Sequence, residues 1–317
     1  MTNCEELGLV PEPKTLEMLE RLAKAERPEV DLSHHHVGDD VIRAISGPVC
    51  SLNPVAVKLR DCRLSAKGVA AACAALGAKC TRLEEIDFAV NDCRAPSAAS
   101  ALLNMLDAPA ADGVIRLKLA ACQLAAEQSM KLASGWARRA ETGRALKRLV
   151  ELDLAKNALN AAADALGAAL GPDGAFPALR VLNVSSTGLQ GAGAAAVAEG
   201  LGRSHVQRAD LSWNAFRADQ TPPREDDAVA ALRLAFSAAR KLWHVNLSYN
   251  HMTAGDLRRL EPGAKESRTL AGLRRPRADS YVAAGADTPR VGRRRGRAAA
   301  AATPWMLRAT TSRLRRG

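Results

Sequence analysis

The chain has 317 residues, 47% of them hydrophobic but only 3% aromatic, and a formal net charge of +11. That length and apolar content suffice for a continuous core, while the aromatic scarcity argues against a globular enzyme built around a deep pocket. No apolar run reaches the roughly 18 residues of a membrane span, and the acidic start MTNCEELGLVPEPK lacks the apolar stretch of an export signal.

Residues 1–26 read as a capping segment, in which Leu16, Leu19, Leu22 and Ala23 recur at helical spacing ahead of the first repeat. One phrase then returns eight times: apolar–x–apolar, a polar or small residue three positions on, and another apolar. It reads VDLSHHHV, VKLRDCRL, IDFAVNDC, LKLAACQL, LDLAKNAL, LNVSSTGL, ADLSWNAF and VNLSYNHM. The central apolar residues, from Leu32 and Leu59 through Phe88, Leu119, Leu154 and Val184 to Leu211 and Leu247, lie 27 to 36 residues apart. Alternate apolar positions put one side of a short strand into a core. A ladder position follows, filled by His35, Cys62, Asn91, Cys122, Asn157, Thr187, Asn214 and Asn250. The Asn amide offers donors and an acceptor to buried backbone where the chain leaves the strand, and Cys or Thr fits the same slot. His35 is expected to point inward with the others.

Between phrases lie Ala- and Leu-rich stretches of helical length, such as KGVAAACAALG, AADALGAALG, GAGAAAVAEGLG and DDAVAALRLAF. Strand alternating with helix demands a parallel sheet. One such pair cannot bury its apolar side alone, so stability comes from stacking.

The phrase resembles the leucine-rich-repeat signature L-x-x-L-x-L-x-x-N/C-x-L, and the long repeats resemble the ribonuclease-inhibitor-like class. The resemblance implies an α/β fold: a curved, horseshoe solenoid of about eight repeats over residues 27–262, with a parallel concave sheet and convex helices. It also implies a non-enzymatic module that binds a protein partner through the concave face. The alternative it offers is a GTPase-activating protein similar to Ran GTPase-activating proteins, acting by surface contact.

The residues flanking the first core apolar of each strand face outward. The first five rows alternate in sign: Glu29/Asp31, Ala56/Lys58, Glu85/Asp87, Arg116/Lys118 and Glu151/Asp153. Neighbouring strands lie about 4.8 Å apart, so these rows either pair laterally or present charge stripes to a partner. The last three rows, Val181/Asn183, Arg208/Asp210 and His244/Asn246, are largely uncharged, and the position before the ladder Asn becomes Trp213 and then Tyr249. Equivalent places on consecutive repeats make these two aromatics neighbours. They stand either as a hot spot or as cover for the end of the stack. The candidate partner-binding residues are therefore Trp213, Tyr249, Arg208, His244, Lys58, Arg116, Lys118 and Asp153. The segment RADQTPPREDD is expected to form a loop beside them.

Residues 263–317 read as a disordered basic tail. From Arg258 onward stand 16 Lys/Arg against 4 Asp/Glu, leaving 29 basic and 30 acidic residues in 1–257. Within it Arg293, Arg294, Arg295 and Arg297 offer a nuclear-import signal or a weak contact with nucleic acid or another acidic surface. The seven cysteines are scattered with no CxxC pair, which points to a reducing, intracellular setting. No phosphate loop, HExxH or GxSxG motif occurs. His34 and His36 lack Cys or carboxylate partners at ligand spacing, so no metal or cofactor is expected.

Overall fold

A computed structural model describes Glu17, residues 20–217 and residues 227–274. Nine parallel strands form one sheet in strict sequence order. They are β1 (Glu29–Asp31), β2 (Ala56–Lys58), β3 (Glu85–Asp87), β4 (Arg116–Lys118), β5 (Glu151–Asp153), β6 (Val181–Asn183), β7 (Arg208–Asp210), β8 (His244–Asn246) and β9 (Gly272–Arg274). The helices between them are α1 (Gly38–Ser51), α2 (Ala66–Lys79), α3 (Pro96–Asp107), α4 (Ala126–Glu141), α5 (Ala163–Leu170), α6 (Gly191–Arg203), α7 (Ala228–Ala238) and α8 (Ala254–Glu266). The protein is thus an α/β repeat solenoid, with each strand followed by a crossover helix that returns the chain to the next, parallel strand.

The core is one continuous cluster between sheet and helices. Each of β1–β8 contributes its middle residue, from Val30 and Val57 through Leu117 and Leu152 to Val245, and the second apolar of the phrase lies just beyond, all buried. Several helices begin where a side chain satisfies the free amides of the first turn. Ser65 accepts the amide of Lys67, Asp227 that of Ala230, and Thr253 with Asp256 forms a reciprocal capping box. Small residues let the helices touch. A Cβ on Gly167 would lie 2.3 Å from the carbonyl oxygen of Ala196, and one on Gly263 would lie 2.1 Å from that of Arg233.

The ladder residues tie each repeat to the one before. The amide nitrogen of Asn91 donates to the carbonyls of Leu59 (2.7 Å) and Phe88 (2.8 Å), while its oxygen accepts from the amides of Cys62 and Leu64. Asn157, Asn214 and Asn250 repeat the pattern. The thiols of Cys62 and Cys122 donate to the preceding repeat at Leu32 and Phe88. Burial pushes the Cys62 thiol up to about 12, so it stays a neutral donor at physiological pH. Thr187 turns instead to its own repeat, donating to Val184.

Three sequence expectations are corrected here. His35 is exposed rather than turned inward; among the described residues no strand precedes β1 to offer it a carbonyl. Helix α8 runs through Glu266, past the boundary at 262, and Leu273 brings β9 onto β8. Leu270 and Leu273 both pack against the core. His34 also finds a carboxylate, its Nδ1 lying 3.0 Å from Asp61 Oδ2 of the next repeat.

Leu22 is buried, whereas Ala23 is exposed; Leu16 and Leu19 lie outside the described residues. So do residues 218–226 of the inserted segment and the tail arginines Arg293, Arg294, Arg295 and Arg297. Among the described residues, no helix is long and apolar enough to cross a membrane, and no group of three or more metal-ligating side chains gathers.

Candidate functional site: the open face of the sheet

The strand ladder sets the open face in exact lateral register. One row runs Glu29, Ala56, Glu85, Arg116, Glu151, Val181, Arg208 and His244, the other Asp31, Lys58, Asp87, Lys118, Asp153, Asn183, Asp210 and Asn246. Over β1–β4 the charges pair across strands. Lys58 reaches Glu29 at 3.4 Å, and Glu85 holds Arg116 at 2.9 Å and Lys118 at 2.8 Å. Burial pushes the Glu85 carboxyl up, but the hydrogen bonds and charges of Lys118 and Arg116 outweigh it and hold the group below its ordinary value. Lys58, Arg116 and Lys118 are therefore engaged within the protein.

The second row has a role that sequence reading missed. Asp31, Asp87, Asp153, Asn183, Asp210 and Asn246 each accept the amide two residues on, at 2.8–3.1 Å. They close the turn that leaves the strand, as short polar side chains do. Spacing carried the signal, since an Asp or Asn stands two places before a residue that needs an acceptor. It was masked by the alternation of charge.

From β5 onward the described carboxylates of the face form no such pairs. A cleft enclosing about 330 Å³ opens over β5–β8, lined by Glu151, Asp153, Asn183, Arg208, Asp210, His244 and Asn246. The structure thus brings Asp153, Arg208 and His244 together, and leaves Lys58, Arg116 and Lys118 on the other half of the face. None of Glu151, Asp153 and Asp210 forms an ion pair among the described residues. Burial raises the Asp153 carboxyl, and the like charges of Glu151 and Asp87 push the same way against the amide of Ala155. Asp210 is steadied by Ser212 and by the amide of Asn246 at 3.0 Å.

Trp213 and Tyr249 stand on the turns that leave β7 and β8, beyond the C-terminal ends of strands that line this cleft. Their rings stack at 4.0 Å with an interplanar angle of 15°, yet they remain 60% and 44% exposed. The residue before each ladder position adopts a positive φ in all eight repeats, and at Trp213 and Tyr249 it is 59° and 58°. That left-handed backbone costs a bulky residue energy that Gly or Asn would avoid. Strand β9 extends the sheet beyond β8. At the opposite rim Trp243, 44% exposed, lies 5.9 Å from the guanidinium of Arg208.

Residues 177–198 match the family model described as Leucine Rich repeat. No curated protein matches the chain. Among solved structures, the chain is similar to one in the crystal structure of the Rad7 and Elc1 complex in yeast, with 11% sequence identity and a TM-score of 0.30. That alignment covers 74% of this chain and spans about two thirds, 66%, of the other.

Proposed function

We propose that this leucine-rich-repeat protein is a non-enzymatic interaction module that holds a protein partner on the open face of its sheet over β5–β8. The observation that carries the reading is the Trp213–Tyr249 pair, two large aromatics stacked on each other yet left exposed at equivalent places on consecutive repeats. The left-handed turn is common to all eight repeats, so what distinguishes this pair is its chemistry: Trp and Tyr beside an Arg match the composition of binding hot spots. Helices of 8 to 16 residues behind the strands support placing the repeats in the ribonuclease-inhibitor-like class.

The cleft beside the pair is polar and shallow, a shape suited to a side chain of a partner more than to a buried small molecule. Its unpaired carboxylates favour a Lys or Arg there. The test is capture of partners from an extract of the protein's own cells, comparing wild type with W213A/Y249A. The proposal expects specific partners to be lost from the variant while its melting temperature is maintained. Retention of every partner, or a variant that only unfolds more readily, would assign the pair a structural role instead.

A further inference from the structure

The charge of the second half of the solenoid is sorted by location. The open face carries Glu151, Asp153 and Asp210, whereas the loops that lead into β5, β6, β8 and β9 are basic; the loop before β7, residues 204–207, carries no Lys or Arg. The loop before β5 brings Arg144, Lys147 and Arg148; those before β6, β8 and β9 bring Arg180, then Arg240 with Lys241, then Arg268. The one acid in these loops is Asp173. Consecutive repeats hold the loops side by side, because the amides of Arg180, Gln207, Trp243 and Ala271 donate to the carbonyls of Val150, Arg180, Gln207 and Trp243. None of the loop cations forms an ion pair with a described carboxylate. Strands pack about 4.8 Å apart, so the loops before β5 and β6 are neighbours, as are those before β8 and β9. Within each pair the cations' fields add where they come within a Debye length of about 8 Å at physiological salt. At the seam between this edge and the cleft stands the Arg208–Trp243 contact.

We infer that the loop edge preceding β5–β9 is a second docking surface, which receives an acidic segment of a protein partner. Charge complementarity gives the sign of the occupant, and the adjacent face gives its class. A nucleic acid carries a negative charge at every step and would run onto Glu151, Asp153 and Asp210 where it passed from the edge to the open face. A protein segment can place its acids against Arg148, Arg240 and Lys241 and a neutral or cationic residue over the carboxylates. Such a sign-matched border sets register and rejects wrong partners. The surface lies at the opposite end of the strands from Trp213 and Tyr249, so it stands or falls separately from the role given to them.

The test measures binding of a labelled Glu–Ser repeat peptide and of a single-stranded oligothymidylate of equal charge to the full-length protein. Two variants are compared with wild type: K147Q/R148Q/R240Q/K241Q, and R43Q/R63Q/K67Q/K131Q, which removes the same charge from exposed positions elsewhere. Both retain the basic tail, so the difference between them reads the edge alone. The inference expects the edge variant to bind the peptide about tenfold more weakly and the second variant within about twofold of wild type. The smaller change R240Q/K241Q should move in the same direction by less, which guards against a folding defect in the fourfold variant. Equal weakening by both fourfold variants would reduce the effect to net charge and overturn the inference. Oligothymidylate binding that depends on the edge more than peptide binding does would overturn the assignment to protein.

Discussion

Asp153 and Asn183 occupy the same place on adjacent strands, paired Cα to Cα in the ladder, and each accepts the amide two residues on. One position of the repeat therefore tolerates a carboxylate or an amide for the same turn, and the choice between them sets the charge of the cleft. Asp153 is the costly choice. Its carboxyl is raised by burial and by Glu151 and Asp87, which shows that its ionised form is disfavoured in the folded protein.

That relationship predicts the effect of Asp153→Asn. A carboxyl whose pKa is raised on folding binds its proton more tightly in the native state, so its contribution to stability falls as pH rises through the carboxylate range. The amide keeps the turn contact to Ala155 and removes the buried charge. At pH 7 the variant should melt higher, by roughly 1–3 °C, and the gain should vanish in acid where Asp153 itself is protonated. A lower melting temperature at pH 7 would contradict the unfavourable burial of the Asp153 carboxylate.

Glu85→Gln should behave in the opposite way. Against the upward push of burial, Lys118 and Arg116 hold the Glu85 carboxyl below its ordinary value. Its stabilisation is therefore present above the unfolded pKa and lost as pH falls through the folded one. At pH 7 the variant should lose about 1–3 kcal/mol, because two cations lose a largely buried partner. Melting curves of wild type and variant should converge in acid, and a pH-independent difference would contradict the ion-pair account.

The ladder makes a third prediction. Asn157→Ala and Asn214→Ala each strand carbonyls of two successive repeats together with the amide of Leu124, or those of Thr187 and Leu189. Each unsatisfied buried group costs about 1–3 kcal/mol. Chemical denaturation should show both variants clearly destabilised, with His35→Ala near wild type because that side chain is exposed. An unchanged midpoint for either Asn variant would refute the register.

Helix contact provides a fourth. Gly167→Ala puts a methyl group 2.3 Å from the carbonyl oxygen of Ala196, and forcing α5 from α6 should cost about 1–3 kcal/mol. Gly255→Ala meets nothing closer than the Thr253 hydroxyl at 3.4 Å and should be neutral or stabilising by up to about 1 kcal/mol. Denaturant midpoints that move together would show that close helix approach at Gly167 is unimportant.

The strand phrase made the first eight strands and their common face readable in the sequence, because alternation and period are local properties of the chain. The adjacency of Trp213 and Tyr249 followed from the same period. Strand β9 escaped it: Gly272–Arg274 offers Leu273 as its single core residue and is followed by no ladder phrase. The Asp and Asn column was read as charge stripes, since only the fold shows that those oxygens face the amides of the following turn. The basic edge escaped for another reason. Lys147, Arg180 and Arg240 stand at unequal offsets from their strands, and stacking alone makes them neighbours.

The most direct test of the binding account is site-specific photo-crosslinking in an extract of the protein's own cells. A photoreactive residue would replace Asn183 in the cleft, or Met130, which is 40% exposed on α4. The account predicts a discrete protein adduct from position 183 that disappears when W213A/Y249A is added, and none of that mass from position 130. Adducts from position 130 alone, or an adduct at 183 indifferent to the aromatic pair, would move the partner off the β5–β8 face.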